Sequence, residues 1–194
     1  MINQITKNKI AKLTTKYHKA ARGNKQGLSD IAIAEIPEMV YNSNAIENST
    51  LSLRDTEDIL FYNKIKKDHD IREIYEAKNL AKIMENLLKK PRQPLTIELI
   101  LSWHKILLTG IHDDWAGRFR RRGEWVRVGG HVGANPRFAS GLMQKLVEKY
   151  RTDDKLYFLD KIAWFHAEFE TIHPFCDGNG RMGRALINQQ LLAL

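Results

Sequence analysis

The chain has 194 residues, of which 43% are hydrophobic and 28% are charged. This length and composition are typical of one folded globular domain and exclude disordered and fibrous architectures. The 31 lysines and arginines against 23 aspartates and glutamates give a formal net charge of +8. That charge is compatible with nucleic acid, acidic lipid or phosphate-bearing ligands and does not distinguish between them.

Cysteine usage and hydropathy predict a cytoplasmic protein. The single cysteine, Cys176, has no intramolecular partner for a disulfide, which fits a reducing compartment. No apolar run approaches the roughly 18 residues of a membrane-spanning helix. The lysine-rich N-terminus also lacks the continuous apolar stretch of a secretory signal. We therefore expect no membrane partner.

Helical periodicity dominates the chain and predicts an all-α fold. After an N-terminal helical segment over residues 1–36, Pro37 suits the first turn of a short helix that ends near Glu47. Ser52, with Asp55 three positions later, is typical of the capped start of another helix. Before a last helix near the C-terminus, apolar residues at steps of three and four predict four amphipathic helices: Ile74 to Leu88, Ile100 to Leu107, Met143 to Tyr150 and Ile162 to Ile172.

One segment departs from the helical pattern. Residues 118–131 contain Gly123, Gly129 and Gly130, with a β-branched and aromatic stretch between them. Glycines at such positions mark turns, and the residues between them favour extended backbone. This pattern predicts a short, exposed β-hairpin in an otherwise helical protein.

The most informative segment lies between the last two predicted helices and reads HPFCDGNGRMGR, from His173 to Arg184. Pro174 cannot continue a helix, so His173 lies at the C-terminal edge of the preceding one. The glycines at 178 and 180 predict a sharp turn whose backbone N–H groups point into one concave space. The next helix begins at the same space with its uncapped N–H groups, so the segment predicts an anion site.

Four side chains of this segment indicate a reaction. Arg181 and Arg184 are neighbours on the first turn of a helix, which predicts binding of more than one phosphate. Asp177 beside phosphates is explained by Mg²⁺, which takes one or two carboxylates together with phosphate oxygens. His173 is largely neutral near pH 7 and can accept a proton. Together these groups predict the transfer of a phosphate-containing group to a hydroxyl.

The string HPFCDGNGRMGR matches in full the signature HxFx(D/E)GNGRxxR of Fic-domain proteins, and the chain resembles this family. Residues 114–120, DWAGRFR, are similar to the family's Gly-x-Tyr/Phe-Arg segment before a β-hairpin flap. The likeness runs from about Tyr41 to Leu194. It implies a mainly helical Fic fold, a flap at about residues 117–132 next to the active site, and a catalytic core over residues 51–194.

The usual activity of that family is AMPylation, the transfer of AMP from ATP to a Ser, Thr or Tyr hydroxyl of a target protein. By position in the motif, the resemblance implies that His173 deprotonates the hydroxyl and that Asp177 holds Mg²⁺ between the α- and β-phosphates. The implied nucleotide-binding residues are Gly178, Asn179 and Gly180 at the α- and β-phosphates, Arg181 at the β-phosphate, and Arg184 at the γ-phosphate.

A second string, SNAIEN, begins at Ser43 and resembles the family's inhibitory motif: Ser or Thr, three residues, Glu, then Gly or Asn. It precedes the catalytic loop, as in the class whose inhibitory helix is N-terminal. The resemblance implies that residues 37–50 form this helix, with Glu47 and Asn48 at its last motif positions. Glu47 would pair bidentately with Arg184 and keep it from the γ-phosphate.

The resemblance also suggests partners. These would be ATP and a protein target, with a second copy of the chain as one candidate target. The flap edge would hold the target by strand addition, with Val128, Gly129 and Gly130 as contact residues. A homodimer stays open. Family members usually continue with further helices, so we expect the chain to be truncated at its C-terminal end.

Several alternatives stay open at the level of sequence. The same fold could remove AMP from a target, with Glu47 activating water, or transfer phosphate or phosphocholine. His166, Glu170 and His173 have helical spacing that resembles a zinc face, although the phosphate loop already claims His173. The most distant alternative, a nucleic-acid-binding module, rests on a basic cluster that we expect instead to frame the nucleotide site or dock an acidic target: Arg118, Arg120, Arg121, Arg122 and Arg127.

Overall fold

The computed structural model describes residues 1–65 and 68–194. In these ranges it contains nine helices and one two-stranded antiparallel sheet, so the predicted helical fold with a short hairpin is confirmed. Within the same ranges, no helix has the length and apolar character needed to cross a membrane. The elements are α1 (Gln4–Ala21), α2 (Lys25–Ala34), α3 (Ile36–Ile46), α4 (Leu53–Tyr62), α5 (Ile71–Lys89), α6 (Ile97–Leu108), β1 (Arg127–Val128), β2 (His131–Val132), α7 (Ala139–Thr152), α8 (Phe158–Ile172) and α9 (Asn179–Leu192).

The helix starts follow local capping chemistry. Pro37 lies in the first turn of α3, where a missing N–H costs nothing. At α4, Ser52 Oγ accepts a hydrogen bond from the Asp55 N–H at 3.1 Å, and the Asp55 carboxylate accepts one from the Ser52 N–H at 3.1 Å. At α6, Thr96 Oγ1 accepts a hydrogen bond from the Leu99 N–H at 3.1 Å. These caps satisfy N–H groups that have no partner within the helix.

The first helix lies on the periphery. The predicted segment 1–36 is divided into α1, α2 and the first residue of α3. None of the described residues of α1 is buried. The helix is attached near its start, where the Ile2 N–H donates to Asp160 Oδ1 at 2.9 Å and the Lys7 ammonium lies 4.8 Å from the centre of the Tyr157 ring. The core is therefore built by the later helices.

The hydrophobic core forms around α5, which packs against α3, α4, α6 and α9. Ala77, Ala81 and Met84 of the predicted stripe are buried, and Leu80 and Ile83 of α5 are fully buried beside them. Helices α8 and α9 pack against each other, and Phe165 and Phe169 of α8 are also fully buried. The loop that joins α8 to α9 inserts Phe175 into the same core, at 0% exposure. This insertion anchors the loop that carries the predicted chemistry.

The hairpin is shorter than the predicted segment 118–131. Its N-terminal part folds on itself, because the Arg118 guanidinium donates to both carboxylate oxygens of Glu124 at 2.8 Å each. The two strands begin only afterwards, in a register that pairs Arg127 with Val132. A local ion pair therefore decides where the hairpin starts.

Candidate active site

The loop between α8 and α9 lines a cavity of about 530 Å³. On the loop side, the walls include His173, Asp177 and Arg184. The other lining residues are Ile46, Glu47, Val126, Arg127, Val128, His166, Glu170, Cys176, Gly178, Asn179 and Gly180. The fold therefore brings the predicted inhibitory helix, the flap and the loop to one space.

His173 lies at the point where α8 ends. Its backbone adopts the left-handed conformation with φ of 50°, and its N–H donates to the Phe169 carbonyl at 2.9 Å. Its side chain is 13% exposed, and Nδ1 lies 3.6 Å from Glu170 Oε2. That separation is too long for a hydrogen bond but brings a carboxylate near the imidazole.

Arg120 fixes the backbone on either side of His173. Its guanidinium donates to the carbonyls of His173 at 2.8 Å, Ala134 at 2.8 Å and Glu124 at 2.9 Å. Its own N–H donates to the Pro174 carbonyl at 2.9 Å. Arg120 is 3% exposed, and burial lowers its pKa. Its placement in an exposed basic cluster was therefore wrong, because a run of arginines in sequence does not reveal which one points inward.

Arg118 is also used within the protein. Its hydrogen bonds hold the pKa of the Glu124 carboxyl well below its usual range, at about 2. The carboxylate in turn raises the pKa of the Arg118 guanidinium through the same hydrogen bond. The predicted basic cluster thus loses two of its five arginines to internal contacts, which leaves Arg121, Arg122 and Arg127 exposed. This finding weakens the nucleic-acid alternative.

His104 on α6 supports the loop from below and was missed by the sequence analysis. Its Nδ1 accepts a hydrogen bond from the Gly117 N–H at 3.1 Å, so Nε2 carries the hydrogen and donates to the Asp177 carbonyl at 3.1 Å. The ring stacks on Phe175 with centroids 3.7 Å apart. Burial lowers the pKa of His104 to about 4, so the imidazole is neutral at pH 7. In the sequence, the signal that could have indicated a buried role for His104 was its position next to Trp103, on the apolar stripe of α6.

Asn179 braces the loop internally. Its Oδ1 accepts a hydrogen bond from the Phe175 N–H and its Nδ2 donates to the Phe175 carbonyl, both at 2.9 Å. Gly178 precedes it with φ of 78°, a conformation that favours glycine, and gives α9 no side-chain cap. The first N–H groups of α9 therefore open on the cavity as an anion site. The Asn179 side chain shapes this site from within the loop.

Four charged residues form a closed ring of ion pairs, named here the charge ring: Arg72, Glu76, Asp177 and Arg181. Arg72 Nε lies 2.9 Å from Glu76 Oε1, which lies 3.0 Å from Arg181 Nη1. Arg181 Nη2 lies 3.2 Å from Asp177 Oδ1, and Asp177 Oδ2 accepts a short hydrogen bond from Arg72. The Arg181 side chain is only 3% exposed. The structure thus places Arg181 beneath the loop, and its contact with a β-phosphate stays a prediction.

The donor set fits a magnesium ion that arrives with a nucleotide. In residues 1–65 and 68–194, no group of three or more His, Cys, Asp or Glu side chains could hold a metal ion. The zinc face proposed for His166, Glu170 and His173 is therefore not assembled in the described chain. Asp177 lines the cavity as a single carboxylate and is 23% exposed. One carboxylate suits Mg²⁺, which completes its coordination with phosphates and water.

Arg184 contacts the predicted inhibitory helix, in an arrangement named here the Arg184 cluster: Ser43, Glu47 and Arg184. Arg184 Nη2 donates to Glu47 Oε1 at 2.7 Å and to the Ser43 carbonyl at 2.9 Å. Its Nε donates to Ser43 Oγ at 2.9 Å. The predicted pairing of Glu47 with Arg184 is present, but it uses one carboxylate oxygen and is not bidentate, because Ser43 accepts the remaining hydrogen bonds.

Two backbone positions make this pairing geometrically feasible. Asn48 has a left-handed backbone with φ of 66°, which explains why Gly or Asn suits the position after Glu47. Glu47 Oε1 lies against the backbone of Gly180, in space that a side chain there would occupy. The carboxylate therefore lies directly at the first turn of α9, where the anion site opens.

The flap contributes one of its three predicted contact residues to the cavity lining. Val128 lines the cavity and is 55% exposed. Gly129 and Gly130 form the exposed turn of the hairpin, so their predicted contact with a target stays a prediction.

Cys176 also lines the cavity, and burial raises the pKa of its thiol to about 11. The thiol is protonated at neutral pH and is therefore a poor nucleophile.

Sequence comparison adds named relatives to this geometry. The chain is 32% identical over 157 residues to protein adenylyltransferase Fic of Drosophila persimilis, an alignment that covers 79% of this chain and 30% of that protein. It is 30% identical over 155 residues to protein adenylyltransferase fic-1 of Caenorhabditis elegans, covering 77% of this chain and 30% of that protein. The chain thus spans about 30% of the length of these curated relatives.

Structural comparison agrees. A Fic domain containing signaling protein from Bacteroides thetaiotaomicron superimposes with a TM-score of 0.84 at 25% sequence identity, covering 95% of this chain and 72% of that one. Residues 94–191 match the Fic/DOC family, and this range holds α6, the flap and the complete catalytic loop. The chain therefore belongs to the Fic/DOC family.

Proposed function

We propose that this chain is a protein adenylyltransferase that transfers AMP from ATP to a Ser, Thr or Tyr hydroxyl of a target protein. One observation carries the proposal: a single loop presents His173, Asp177 and the first turn of α9 to the cavity that Arg184 also lines. These are a base, a metal-binding carboxylate and two anion-binding groups. The names of the curated relatives support the same activity.

The residues would divide the reaction between them. His173 would take the proton from the target hydroxyl, whose oxygen attacks the α-phosphorus of ATP. The bond from the α-phosphorus to the bridging oxygen breaks, and pyrophosphate leaves with that electron pair. The N–H groups at Gly178 to Gly180 would stabilise the negative charge on the phosphates, and Arg184 would hold the γ-phosphate. Arg120 keeps the His173 backbone in place throughout.

Asp177 would hold Mg²⁺, which supplies charge neutralisation at the phosphates when it is bound. The Asp177 oxygens already accept hydrogen bonds from Arg72, Arg181 and the Gly178 N–H. Binding the ion would therefore require Arg72, the more exposed of the two arginines at 44%, to release its oxygen. His104 would hold the Asp177 backbone in place while the Asp177 carboxylate exchanges Arg72 for the metal ion.

The Arg184 cluster would inhibit the enzyme. Glu47 occupies the guanidinium that would otherwise bind the γ-phosphate, and its carboxylate lies where that phosphate would approach α9. Like charges would repel, so ATP would bind with its α-phosphorus out of line for attack. Removing the Glu47 carboxylate should therefore activate the protein.

The test is AMP transfer by the Glu47→Gly variant. Incubated with ATP, Mg²⁺ and cell lysate, it should label proteins at least roughly tenfold faster than the unmodified chain, because alignment of reacting atoms is worth several powers of ten in rate. Mass spectrometry identifies the adduct on the hydroxyl and separates AMP from phosphate and phosphocholine.

Matched variants control for side effects of the substitution. Glu38→Gly introduces the same change into the first turn of α3, where Glu38 is exposed, and should leave the rate unchanged. Adding His173→Ala to the Glu47→Gly variant should abolish transfer. Absence of any AMP adduct with the Glu47→Gly variant would refute the proposed activity. Equal rates of AMP transfer by the unmodified chain and the Glu47→Gly variant would refute the inhibitory role of Glu47 but not the activity.

A reverse activity is the second candidate. Glu47 lines the cavity and is 41% exposed, so its carboxylate could also activate water against an AMP group already on the target. Release of AMP from a purified AMPylated protein by the unmodified chain, lost in Glu47→Gly, would identify this activity.

A further inference from the structure

A second cavity of about 550 Å³ lies at the base of the flap and has no role in the proposed chemistry. Its walls are Arg122, Gly123, Trp125, Asn135, Pro136 and Arg137, named here the flap-base groove. Trp125 is 59% exposed, although tryptophan is among the side chains that gain most from burial. An exposed aromatic in a concave site is typical of a surface that binds a partner.

The groove is positively charged and uncompensated. Arg122 and Arg137 are exposed, and in the described part of the chain neither forms an ion pair with an acidic side chain. The nearby Glu124 is already neutralised by Arg118 at 2.8 Å. Arg122 and Arg137 therefore line the same cavity as Trp125 without an internal counter-charge, and an acidic ligand would supply one.

The flap-base groove and the cavity at His173 are lined by neighbouring residues of the flap. At the base of the hairpin, the Gly133 N–H donates a hydrogen bond to the Val126 carbonyl at 3.2 Å. The groove is lined by residues outside this bond on each side, Trp125 before Val126 and Asn135 after Gly133. Val126 itself lines the catalytic cavity. Gly133 packs against His173, whose Cβ lies 3.0 Å from the position where a side chain on this glycine would begin. A target segment that follows the flap beyond Val126 could therefore contact both His173 and the groove.

We propose that the flap-base groove docks an acidic segment of the target protein, adjacent in sequence to the hydroxyl that receives AMP. Carboxylates would pair with Arg122 and Arg137, and an apolar side chain would cover Trp125. The inference rests on the proposed function, since it needs a protein substrate at His173. A peptide fits better than nucleic acid, because Trp125 is the single aromatic side chain in the described lining, whereas single strands bind on rows of stacked aromatics.

The experiment uses two fluorescein-labelled peptides, each with one threonine flanked on both sides by leucine and either aspartates or lysines. Binding is measured by fluorescence anisotropy without ATP, so this part does not depend on catalysis. The acidic peptide should bind about tenfold more tightly than the lysine peptide, as expected for a pair of partly exposed ion pairs. In the Glu47→Gly background, it should also be AMPylated with a lower KM and an unchanged kcat.

Charge reversal gives the specific test. Arg122→Glu combined with Arg137→Glu should invert the preference, so that the lysine peptide binds more tightly. Arg92→Glu is the control, since it makes the same charge change at an exposed position outside the groove. The neighbouring Gln93 accepts a hydrogen bond from Gln189, near the C-terminal end of α9. This variant should leave the binding of both peptides unchanged. Trp125→Ala should weaken binding of the acidic peptide while leaving its charge preference intact.

Four outcomes would overturn the proposal. One is equal binding of both peptides to the unmodified chain. Another is an acidic preference that survives the double reversal. A third is AMPylation of both peptides with equal KM. The last is a labelled single-stranded oligonucleotide that binds more tightly than the acidic peptide through Arg122 and Arg137, which would assign the groove to nucleic acid. If the acidic peptide binds as expected but no variant transfers AMP, the groove stands as a binding site for acidic peptides, while the proposed activity and the link to the modified hydroxyl fail.

Discussion

Two arginine–glutamate pairs beside the loop from His173 to Gly178 differ mainly in burial: Arg181 with Glu76 in the charge ring, and Arg184 with Glu47 in the Arg184 cluster. In the charge ring, the Arg181 side chain is 3% exposed and Glu76 is 12% exposed. In the Arg184 cluster, Arg184 is 25% exposed and Glu47 is 41% exposed. Both pairs join an arginine from the first two turns of α9 to a glutamate from a distant part of the chain. Their chemistry is therefore similar, and solvent access separates them.

This difference in solvent access has an energetic consequence. Removing one partner of a buried ion pair leaves an uncompensated charge in a poorly solvated place, which is strongly destabilising. An exposed pair contributes little, because water and salt replace the lost partner. The charge ring therefore acts as a scaffold that fixes α5 to the loop. The Arg184 cluster can open at low cost, which the proposed inhibition requires if ATP is to compete with Glu47 for Arg184.

The largest expected effect comes from breaking the charge ring. Glu76→Ala should lower the free energy of unfolding by about 3–5 kcal/mol, because the buried Arg181 loses one of its two carboxylate partners and Arg72 loses a partner as well. Urea unfolding followed by circular dichroism measures the change. Glu85→Ala, on the same helix and in an exposed pair with Lys89, should cost less than about 1 kcal/mol. Equal costs for both variants would contradict the scaffold role.

A smaller, pH-dependent effect is expected at His104, which braces the scaffold side of the loop. Its pKa is about 4 in the folded chain against 6.5 when unperturbed. Between these values the unfolded chain binds more protons, so stability falls as the pH decreases from about 6.5 to about 4. The loss should reach roughly 3 kcal/mol and then level off for this group.

Variants isolate that contribution from other titrating groups. His104→Gln should remove this part of the pH dependence, whereas His112→Gln, at a half-buried position, should retain it. The measurement is the free energy of unfolding at pH 7 and at pH 4.5 for the three chains. A difference between the two pH values that is the same in all three would rule out the buried neutral imidazole.

The smallest effect on stability is expected at the Arg184 cluster. Ser43→Ala and Glu47→Ala should each change the free energy of unfolding by about 1 kcal/mol or less. A double-mutant cycle between Glu47→Ala and Arg184→Ala should give a coupling energy below about 1 kcal/mol. A coupling as large as that in the charge ring would mean that the contact is too strong for ATP to displace.

Much of the fold follows from local signals. Pro37, Ser52 and Asp55 mark helix starts because their effects depend on hydrogen bonds within one turn. The hairpin was anticipated from its glycines, but its strands start later than predicted. The reason is the contact between Arg118 and Glu124, which involves particular side chains and not a periodic pattern.

The candidate site was predictable in part. His173 and Asp177 line one cavity with Arg184 as expected, because the short loop that carries them leads directly into α9, which carries Arg184. Arg120 and His104 were not anticipated as supports of that loop. Both are polar residues whose role comes from burial beside distant carbonyls, and neither periodicity nor spacing along the chain encodes such contacts.

The sequence by itself determined which functional groups the loop brings together, since a histidine, a carboxylate, a glycine turn and two arginines fall within residues 173–184. Only the tertiary structure decided what each arginine does. Arg181 and Arg120 are scaffold, Arg184 faces Glu47, and Arg122 is left uncompensated beside Trp125. The guanidinium group is the same in every case. Its role depends on local solvation and on acidic partners or carbonyls far away in the chain, which only folding brings close.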